Sequence, residues 1–211
     1  MRGRLITIEG LDGAGKTTLA ASLCEALGAR GLDVRLLREP GGVPVAERIR
    51  ELVKDPQLLI APRAEALLYA AARAQLVEEE IAPLLEQGTW VLLDRFIDSS
   101  LAYQGAGRGL GVEEVRAINE FGTGGLLADR TLVLTIDPAS GLARAQSRAE
   151  PPDRLEQEHQ AFFEAIAAAY AQLAATEPER VRAIDATDPP KTVLDAALAE
   201  LRDLLEEPAA S

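Results

Sequence analysis

Residues 10–17 read GLDGAGKT, and this stretch decides which fold the chain can adopt. It matches the pattern GxxxxGK[ST], in which glycines allow successive backbone amides to turn inward around phosphate oxygens. An apolar run at residues 5–8 precedes it and a helix-length segment at residues 16–30 follows it, as the pattern requires. The N-terminus of that helix adds partial positive charge. The stretch therefore predicts a binding site for the phosphates of a nucleotide.

Short apolar runs alternate with longer helical segments along the rest of the chain. The predicted strands cover residues 5–8, 34–37, 90–93, 132–136 and 181–184. The predicted helices lie near residues 16–30, 44–54, 62–87, 96–121, 155–175 and 190–206. The apolar runs lack period-two alternation, so we expect strands that are buried on both faces of a parallel sheet. The predicted fold class is α/β.

Length, composition and charge limit the classes of function. The 211 residues are 47% hydrophobic and 27% charged, which is typical of one folded globular domain. A net charge of −12 argues against broad binding to nucleic acid or to an anionic membrane. No apolar run is long enough to span a membrane. Cys24 is the only cysteine, so no intramolecular disulfide can form, and we predict a cytoplasmic protein.

Within the loop, two side chains have chemistry of their own. Lys16 is expected to bridge the β- and γ-phosphates, and the Thr17 hydroxyl to coordinate the Mg²⁺ that accompanies the nucleotide. The loop leaves GTPase switches, motor ATPases and small-molecule kinases open. The only asparagine, Asn119, is not part of an NKxD segment, which weakens the GTPase alternative. The chain is short for a motor ATPase, so we expect transfer to a second small molecule and a second anion site.

Polar residues follow the predicted strands at the edge where open α/β sheets bind ligands. Asp94 and Arg95 come directly after the apolar run at residues 90–93. Asp94 is placed to hold Mg²⁺ through water, as a Walker B carboxylate does, and the planar fork of Arg95 can bind a phosphate. This pair is our candidate for the second anion site.

Several segments together give the chain a resemblance to a known family. They are IEGLDGAGKTT at 8–18, REPGG at 38–42, YAAARAQLVEE at 69–79, DRFIDSSLAYQGAGRGL at 94–110, IDPASGLAR at 136–144 and IDAT at 184–187. In this order they resemble thymidylate kinases over most of the chain. The resemblance implies a three-layer P-loop kinase fold, with a five-stranded parallel sheet flanked by helices. It also implies in-line phosphoryl transfer from ATP to dTMP, with Mg²⁺, in a homodimer.

The resemblance further implies which residues bind the two nucleotides. The ATP site would comprise Gly10, Leu11, Asp12, Gly13, Ala14, Gly15, Lys16, Thr17 and Thr18. The dTMP site would comprise Asp12, Arg38, Glu39, Pro40, Tyr69, Arg73, Arg95, Ser100, Tyr103 and Gln104. In this scheme Asp12 reaches the 3′-hydroxyl of the deoxyribose. Tyr69 stacks on thymine, and Arg73 points at its exchangeable oxygen. Tyr103, beneath C2′, disfavours ribonucleotides.

The transition-state charge needs a further arginine. One subgroup of the family carries it in the phosphate loop, at the position that Gly13 occupies here. Residues 142–155 resemble the mobile lid of the bacterial-type subgroup, whose arginines close over the transferring group. We expect Arg148 to act there, with Arg144 and Arg154 as alternatives, beside Lys16, Asp94 and Arg95 in the catalytic set. The predicted domain spans residues 1–206, followed by a flexible tail at 207–211.

Two alternative functions stay open. Another nucleoside monophosphate kinase would share the fold and both anion sites, and only Tyr69, Arg73, Ser100 and Tyr103 speak against it. An ATP-dependent switch that signals through slow hydrolysis is disfavoured by the second arginine site. For any of these functions we expect small nucleotides as ligands, with no nucleic acid and no membrane partner.

Overall fold

The computed structural model describes residues 2–147 and 154–206, and these ranges contain one sheet of five parallel strands. The strands are β1 (Leu5–Gly10), β2 (Val34–Arg38), β3 (Trp90–Asp94), β4 (Arg130–Thr135) and β5 (Val181–Asp185). All five predicted strands are confirmed, although β4 begins at Arg130 rather than at residue 132. Arg148 and the predicted tail at residues 207–211 lie outside the described ranges.

Helices flank this sheet and complete the predicted three-layer α/β architecture. They are α1 (Lys16–Gly28), α2 (Pro44–Lys54), α3 (Pro62–Leu76), α4 (Ala82–Glu86), α5 (Ile97–Ser100), α6 (Val112–Thr123), α7 (Pro138–Gln146), α8 (Gln160–Thr176), α9 (Pro190–Glu200) and α10 (Arg202–Glu206). Proline begins α2, α3, α7 and α9, where its missing N–H needs no partner. Within the described ranges, no helix has the length and apolar character of a membrane span.

Three helices that the sequence predicted as continuous are interrupted in the structure, which corrects those predictions. The helix predicted at residues 190–206 divides at Leu201 into α9 and α10. Residues 62–87 contain a π-helical turn, Val77–Ile81, between α3 and α4. Pro83 follows this turn, and it has no N–H for the bond that an α-helix makes four residues back. Residues 96–121 divide into α5, a π-helical stretch at Leu101–Gly107, and α6. The left-handed Gly109 and Gly111 separate the last two.

The strand order places the loops of interest at one point of the sheet. The order is β2-β3-β1-β4-β5, so β1 lies between β3 and β4. The next two strands along the chain, β2 and β3, lie on one side of β1 within the sheet, and β4 and β5 lie on the other side. Such a reversal opens a crevice beyond the carboxyl ends of the strands. The β1–α1 and β3–α5 loops meet there, since β1 and β3 pair through Ile8 and Asp94.

A buried ion pair fixes the start of α5 to the sheet. Arg180 donates two hydrogen bonds to Asp98, at 2.7 and 2.8 Å. The Thr131 hydroxyl of β4 donates a third to the same carboxylate, at 2.8 Å. Removing one partner of such a pair strands a buried charge, so the arrangement resists displacement. The two serines that follow Asp98 are thereby held beside the crevice.

Candidate active site

A cleft of about 860 Å³ opens at the carboxyl edge of the sheet. It brings together most of the predicted site side chains, from four separate segments of the chain. Those that line it are Asp12, Lys16, Thr17, Thr18, Arg38, Glu39, Pro40, Tyr69, Asp94, Arg95, Tyr103 and Gln104, together with Gly15. The predicted residues that the structure describes but does not place in the lining are Gly10, Leu11, Gly13, Ala14, Arg73, Ser100, Arg144 and Arg154.

The phosphate loop depends on glycine at the positions where its backbone is left-handed. Gly10, Gly13 and Gly15 have φ values of 133°, 81° and 94°. A Cβ added at Gly13 would lie 2.1 Å from the carbonyl oxygen of Gly141 in α7. No side chain therefore fits at this position without displacing α7, so an arginine here is excluded on steric grounds.

Lys16 is buried at the first turn of α1 and points back across the loop. Its side chain is 6% exposed, and its Nζ donates to the Leu11 carbonyl oxygen at 2.8 Å. Burial, followed by the charge of Arg95, lowers the pKa of Lys16 to about 8, although Asp12 opposes the shift. A phosphate anion at the loop would favour the charged ammonium, so the site is electrostatically suited to such a ligand.

A hydrogen bond between Thr17 and Asp94 joins the phosphate loop to the end of β3. The Thr17 hydroxyl donates to Asp94 Oδ2 at 2.8 Å, and both residues line the cleft. Hydroxyl and carboxylate oxygens are ligands that suit Mg²⁺. The described residues contain no group of three or more His, Cys, Asp or Glu side chains arranged to hold a metal ion by themselves. This pair of oxygens thus fits an ion that takes its remaining ligands from phosphates and water.

Asp12, Arg95 and Tyr103 form a closed group at the centre of the cleft. Arg95 donates to Asp12 Oδ1 at 2.5 Å, and the Tyr103 hydroxyl donates to Oδ2 at 3.0 Å. The guanidinium lies over the Tyr103 ring, 4.8 Å from its centroid. Burial opposes ionisation of Asp12, yet Arg95 and Lys16 hold the pKa of its carboxyl well below the usual range. The phosphate loop and Arg95 are therefore linked through one carboxylate.

The backbone of Arg95 adopts a conformation that is uncommon for a residue with a side chain. Its φ is 72°, while its N–H donates to the Ile8 carbonyl oxygen at 3.0 Å. Such residues concentrate at functional sites, where surrounding contacts hold them in place. The side chain is held too, because it donates to the Ser99 hydroxyl at 3.1 Å. Arg95 is thus a fixed cation at the cleft wall.

Behind Arg95 lies a buried acid that the sequence analysis did not assign to the catalytic set or to either nucleotide site. Glu9 accepts hydrogen bonds from Phe96 N at 2.7 Å, the Ser99 hydroxyl at 2.5 Å and the Tyr170 hydroxyl at 2.9 Å. Burial, with a smaller contribution from the charge of Asp98, raises the pKa of Glu9 to about 7. The available signal was a carboxyl at the end of an otherwise apolar strand.

Arg73 and Ser100 lie behind the cleft wall and contact each other. Arg73 donates to the Ser100 hydroxyl at 2.9 Å and to the Phe96 carbonyl oxygen at 2.8 Å. It pairs with Glu39 at 2.6 Å, and burial nevertheless raises the pKa of Glu39 to about 7. Arg73 Nε and Glu39 Oε1 are buried without a hydrogen-bond partner in the described part of the chain. These two atoms therefore have unused hydrogen-bonding capacity next to the cleft.

Basic residues of α2, which the sequence analysis also missed, extend the site. Arg50 and Lys54 line the cleft and lie four residues apart, one turn along the helix. Five cationic and five acidic side chains line the cleft, so its local balance differs from the net charge of −12. Screening by salt limits the range of interactions between exposed charges to about 8 Å at physiological ionic strength. The cleft can therefore accept anions in an acidic protein.

Arg144 and Arg154, the two arginines of the predicted lid that the structure describes, contact residues outside the phosphate loop. Arg144 donates to the Ala186 carbonyl oxygen, after β5, at 3.0 Å. Arg154 donates to the Val53 carbonyl oxygen at 3.1 Å and pairs with Glu65 at 2.7 Å. Two of the three predicted candidates therefore have other partners in this conformation.

Comparisons with known proteins show which family the chain belongs to. Residues 8–197 match the family model described as Thymidylate kinase. The chain is 49% identical over 198 residues to the thymidylate kinase of Alkalilimnicola ehrlichii, covering 92% of this chain and 90% of the relative. It is 50% identical over 188 residues to that of Deinococcus radiodurans, covering 89% and 91%. It is 46% identical over 210 residues to the thymidylate kinase of Lactobacillus delbrueckii subsp. bulgaricus, covering 98% of this chain and 99% of the relative. The chain belongs to the thymidylate kinase family.

Proposed function

We propose that this protein transfers the γ-phosphoryl group of ATP to dTMP, giving dTDP and ADP. The observation that carries the proposal is the contact of Arg95 with Asp12, at 2.5 Å, inside the phosphate loop. It puts an anion-binding guanidinium next to the loop in a single cleft, where two phosphorylated nucleotides can meet end to end. Family membership supports the choice of thymidylate as the acceptor.

The chemistry needs positioning and charge stabilisation rather than a general base. An oxygen of the dTMP phosphate attacks the γ-phosphorus, and the bond from that phosphorus to the β–γ bridging oxygen breaks. Lys16 and the loop amides bind the donor phosphates, while Arg95 binds the acceptor phosphate. Asp12 contacts both Lys16 and Arg95, at 3.7 and 2.5 Å, and so fixes their separation. The acceptor is already anionic, so no proton need be removed from it.

The base and the metal occupy opposite parts of the proposed site. Tyr69, Arg73, Ser100, Tyr103 and Gln104 form the thymine and sugar side of the proposed dTMP site. That site also includes Asp12, Arg38, Glu39 and Pro40. Thr17 and Asp94 would hold Mg²⁺, which would supply positive charge against the phosphate groups. The hydrogen bond between these two residues supports that assignment.

We propose that residues 142–155 form a lid that closes over the phosphoryl group during its transfer. Arg148 supplies the transition-state charge, with Arg144 and Arg154 as the alternative residues. Such an arginine contributes about 10³ to 10⁵ in rate in related enzymes. The absence of space at Gly13 supports a source of charge outside the phosphate loop. We place this lid within a single domain over residues 1–206.

We also propose that the enzyme works as a homodimer in the cytoplasm. Large apolar side chains are exposed on three neighbouring helices: Leu52 on α2, Leu67 on α3 and Phe121 on α6. Phe121 is 92% exposed, and α3 packs against both other helices. A second copy that covers this face would remove the apolar surface from water. The single cysteine, Cys24, is compatible with a reducing compartment.

An acceptor panel tests the proposed reaction. ADP release is measured with ATP, Mg²⁺ and each of dTMP, dUMP, UMP, AMP, GMP and CMP. Rapid turnover that is strongest with dTMP is the expected result. Preference for another acceptor would identify a different nucleoside monophosphate kinase, and release that is independent of any acceptor would identify an ATP-dependent switch.

A further inference from the structure

Glu65 of α3 is fully buried next to the cleft and has no role in the proposed reaction so far. Its Oε1 accepts a hydrogen bond from Gln104 Nε2 at 2.9 Å. Arg108 donates to its two oxygens at 3.2 and 3.1 Å, and Arg154 pairs with Oε2 at 2.7 Å. Two guanidinium groups and one amide thus surround one carboxylate.

The two arginines contact both oxygens of this carboxylate and hold it in place. Arg108 itself lies over the Phe162 ring, 4.9 Å from the centroid, and also pairs with Glu158 at 2.5 Å. An ionised carboxylate accepts hydrogen bonds and donates none. Gln104 can therefore approach Glu65 only with its amide nitrogen, which fixes the direction of the whole amide group.

The orientation of this amide determines what Gln104 presents to the cleft. Gln104 lines the cleft, and its Oε1 accepts no hydrogen bond from any residue in the described ranges. Nor is Oε1 among the buried side-chain atoms that lack a partner, so it is accessible from the open volume. The cleft wall therefore displays a hydrogen-bond acceptor at this point rather than the donor that the opposite amide orientation would give.

We propose that Glu65 is a positioning residue for base specificity, which holds the Gln104 carbonyl oxygen ready to accept the N3–H of thymine. Thymine and uracil carry a proton on N3, whereas N3 of cytosine is an acceptor without a proton. Two facing acceptors leave both groups unsatisfied, and this excludes dCMP. The inference rests on the proposed function, because it presumes that the base of the acceptor nucleotide lies beside Gln104.

The test compares acceptors within each enzyme variant. Glu65→Gln replaces the carboxylate by an amide that both donates and accepts, so the Gln104 amide is free to turn. We expect the ratio of kcat/KM for dTMP to that for dCMP to fall at least about tenfold. The ratio for dTMP to dUMP should stay within about twofold, because both bases carry the N3 proton. Both ratios are independent of the folded fraction of the preparation.

A matched control removes a charge from the same cluster without touching the amide. Glu158 pairs with Arg108 and makes no hydrogen bond to Gln104. Glu158→Gln should therefore leave both ratios unchanged. Gln104→Leu should lower the dTMP to dCMP ratio by a factor similar to that of Glu65→Gln. Adding Glu65→Gln to the Gln104→Leu background should lower it no further, since Glu65 acts through the amide.

Three outcomes would overturn the inference while leaving the proposed function intact. They are an unchanged dTMP to dCMP ratio in Glu65→Gln, an unchanged ratio in Gln104→Leu, and equal changes of the dCMP and dUMP ratios. An unchanged ratio in Gln104→Leu overturns the inference even if Glu65→Gln does not fold. If the unaltered enzyme does not prefer dTMP at all, the proposed function itself fails.

Discussion

Replacing Glu9 by glutamine should remove a pH dependence that this buried carboxyl imposes on stability. Burial raises the pKa of Glu9 from its ordinary value of 4.5 to about 7 in the folded protein. The folded state therefore binds the proton more tightly than the unfolded state. The resulting stabilisation is fully present below the unfolded value and is lost as the pH rises through about 7.

The magnitude follows from the two pKa values. At about 1.4 kcal/mol per pH unit, the difference between 4.5 and about 7 corresponds to about 3 kcal/mol in all. About 2 kcal/mol of this falls between pH 5.5 and 8, where the measurement is practical. Glutamine does not titrate, and its amide can still accept from Phe96 N and donate to the hydroxyl oxygens of Ser99 and Tyr170. The contribution should therefore disappear with little loss of hydrogen bonding.

Urea unfolding of both proteins at several pH values between 5.5 and 8 provides the assay. The free energy of unfolding of the unaltered protein, minus that of Glu9→Gln, should fall by about 2 kcal/mol over this range. The pKa of Glu39 is also raised to about 7, with a small contribution from the charge of Glu9. Because Glu39 is present in both proteins, only this coupling to Glu9 remains in the difference. A difference that stays constant with pH would refute the reasoning, because Glu9 would then ionise alike in the folded and unfolded states.

Two further predictions concern the phosphate groups. Arg95→Ala should lower kcat/KM for dTMP by a factor that corresponds to a loss of about 2 to 4 kcal/mol of transition-state stabilisation, because charge-assisted contacts with the acceptor phosphate are lost. ATP binding should persist. Unchanged dTMP kinetics would contradict the role of Arg95. Arg148→Ala should lower kcat much more than the KM of either substrate. If Arg144→Ala or Arg154→Ala shows that pattern instead in steady-state kinetics, the transition-state role belongs to that residue.

Local sequence was sufficient wherever neighbouring residues build the structure by themselves. The phosphate loop was predictable because Gly10, Gly13, Gly15 and Lys16 act through the backbone of one continuous segment. The strands were predictable because uninterrupted apolar runs need burial on both faces. The interruption within residues 62–87 was not predictable in this way. Pro83 signals it, but the apolar periodicity on both sides of Pro83 is that of one continuous helix.

Contacts between distant segments escaped prediction for a different reason. Glu9 meets Tyr170 across 161 positions of sequence, and nothing near either residue specifies the other. Arg73 is predicted to face the base, and nothing on its own helix indicated the partners that the fold supplies from two other segments, Glu39, Ser100 and the Phe96 carbonyl oxygen. A side chain's partners depend on which elements pack together, and spacing along one helix constrains only its direction.

The amino-acid sequence alone determined the α/β class, the nucleotide site and the family, since each is carried by short segments that are read independently. Only the tertiary structure decided that Glu65 orients Gln104, that Asp12 links Lys16 to Arg95, and that α7 closes the space at Gly13. These are relations between parts of the chain that folding brings within 4 Å of one another. Hydrogen bonds and ion pairs act over such distances, so their partners exist only once the fold does.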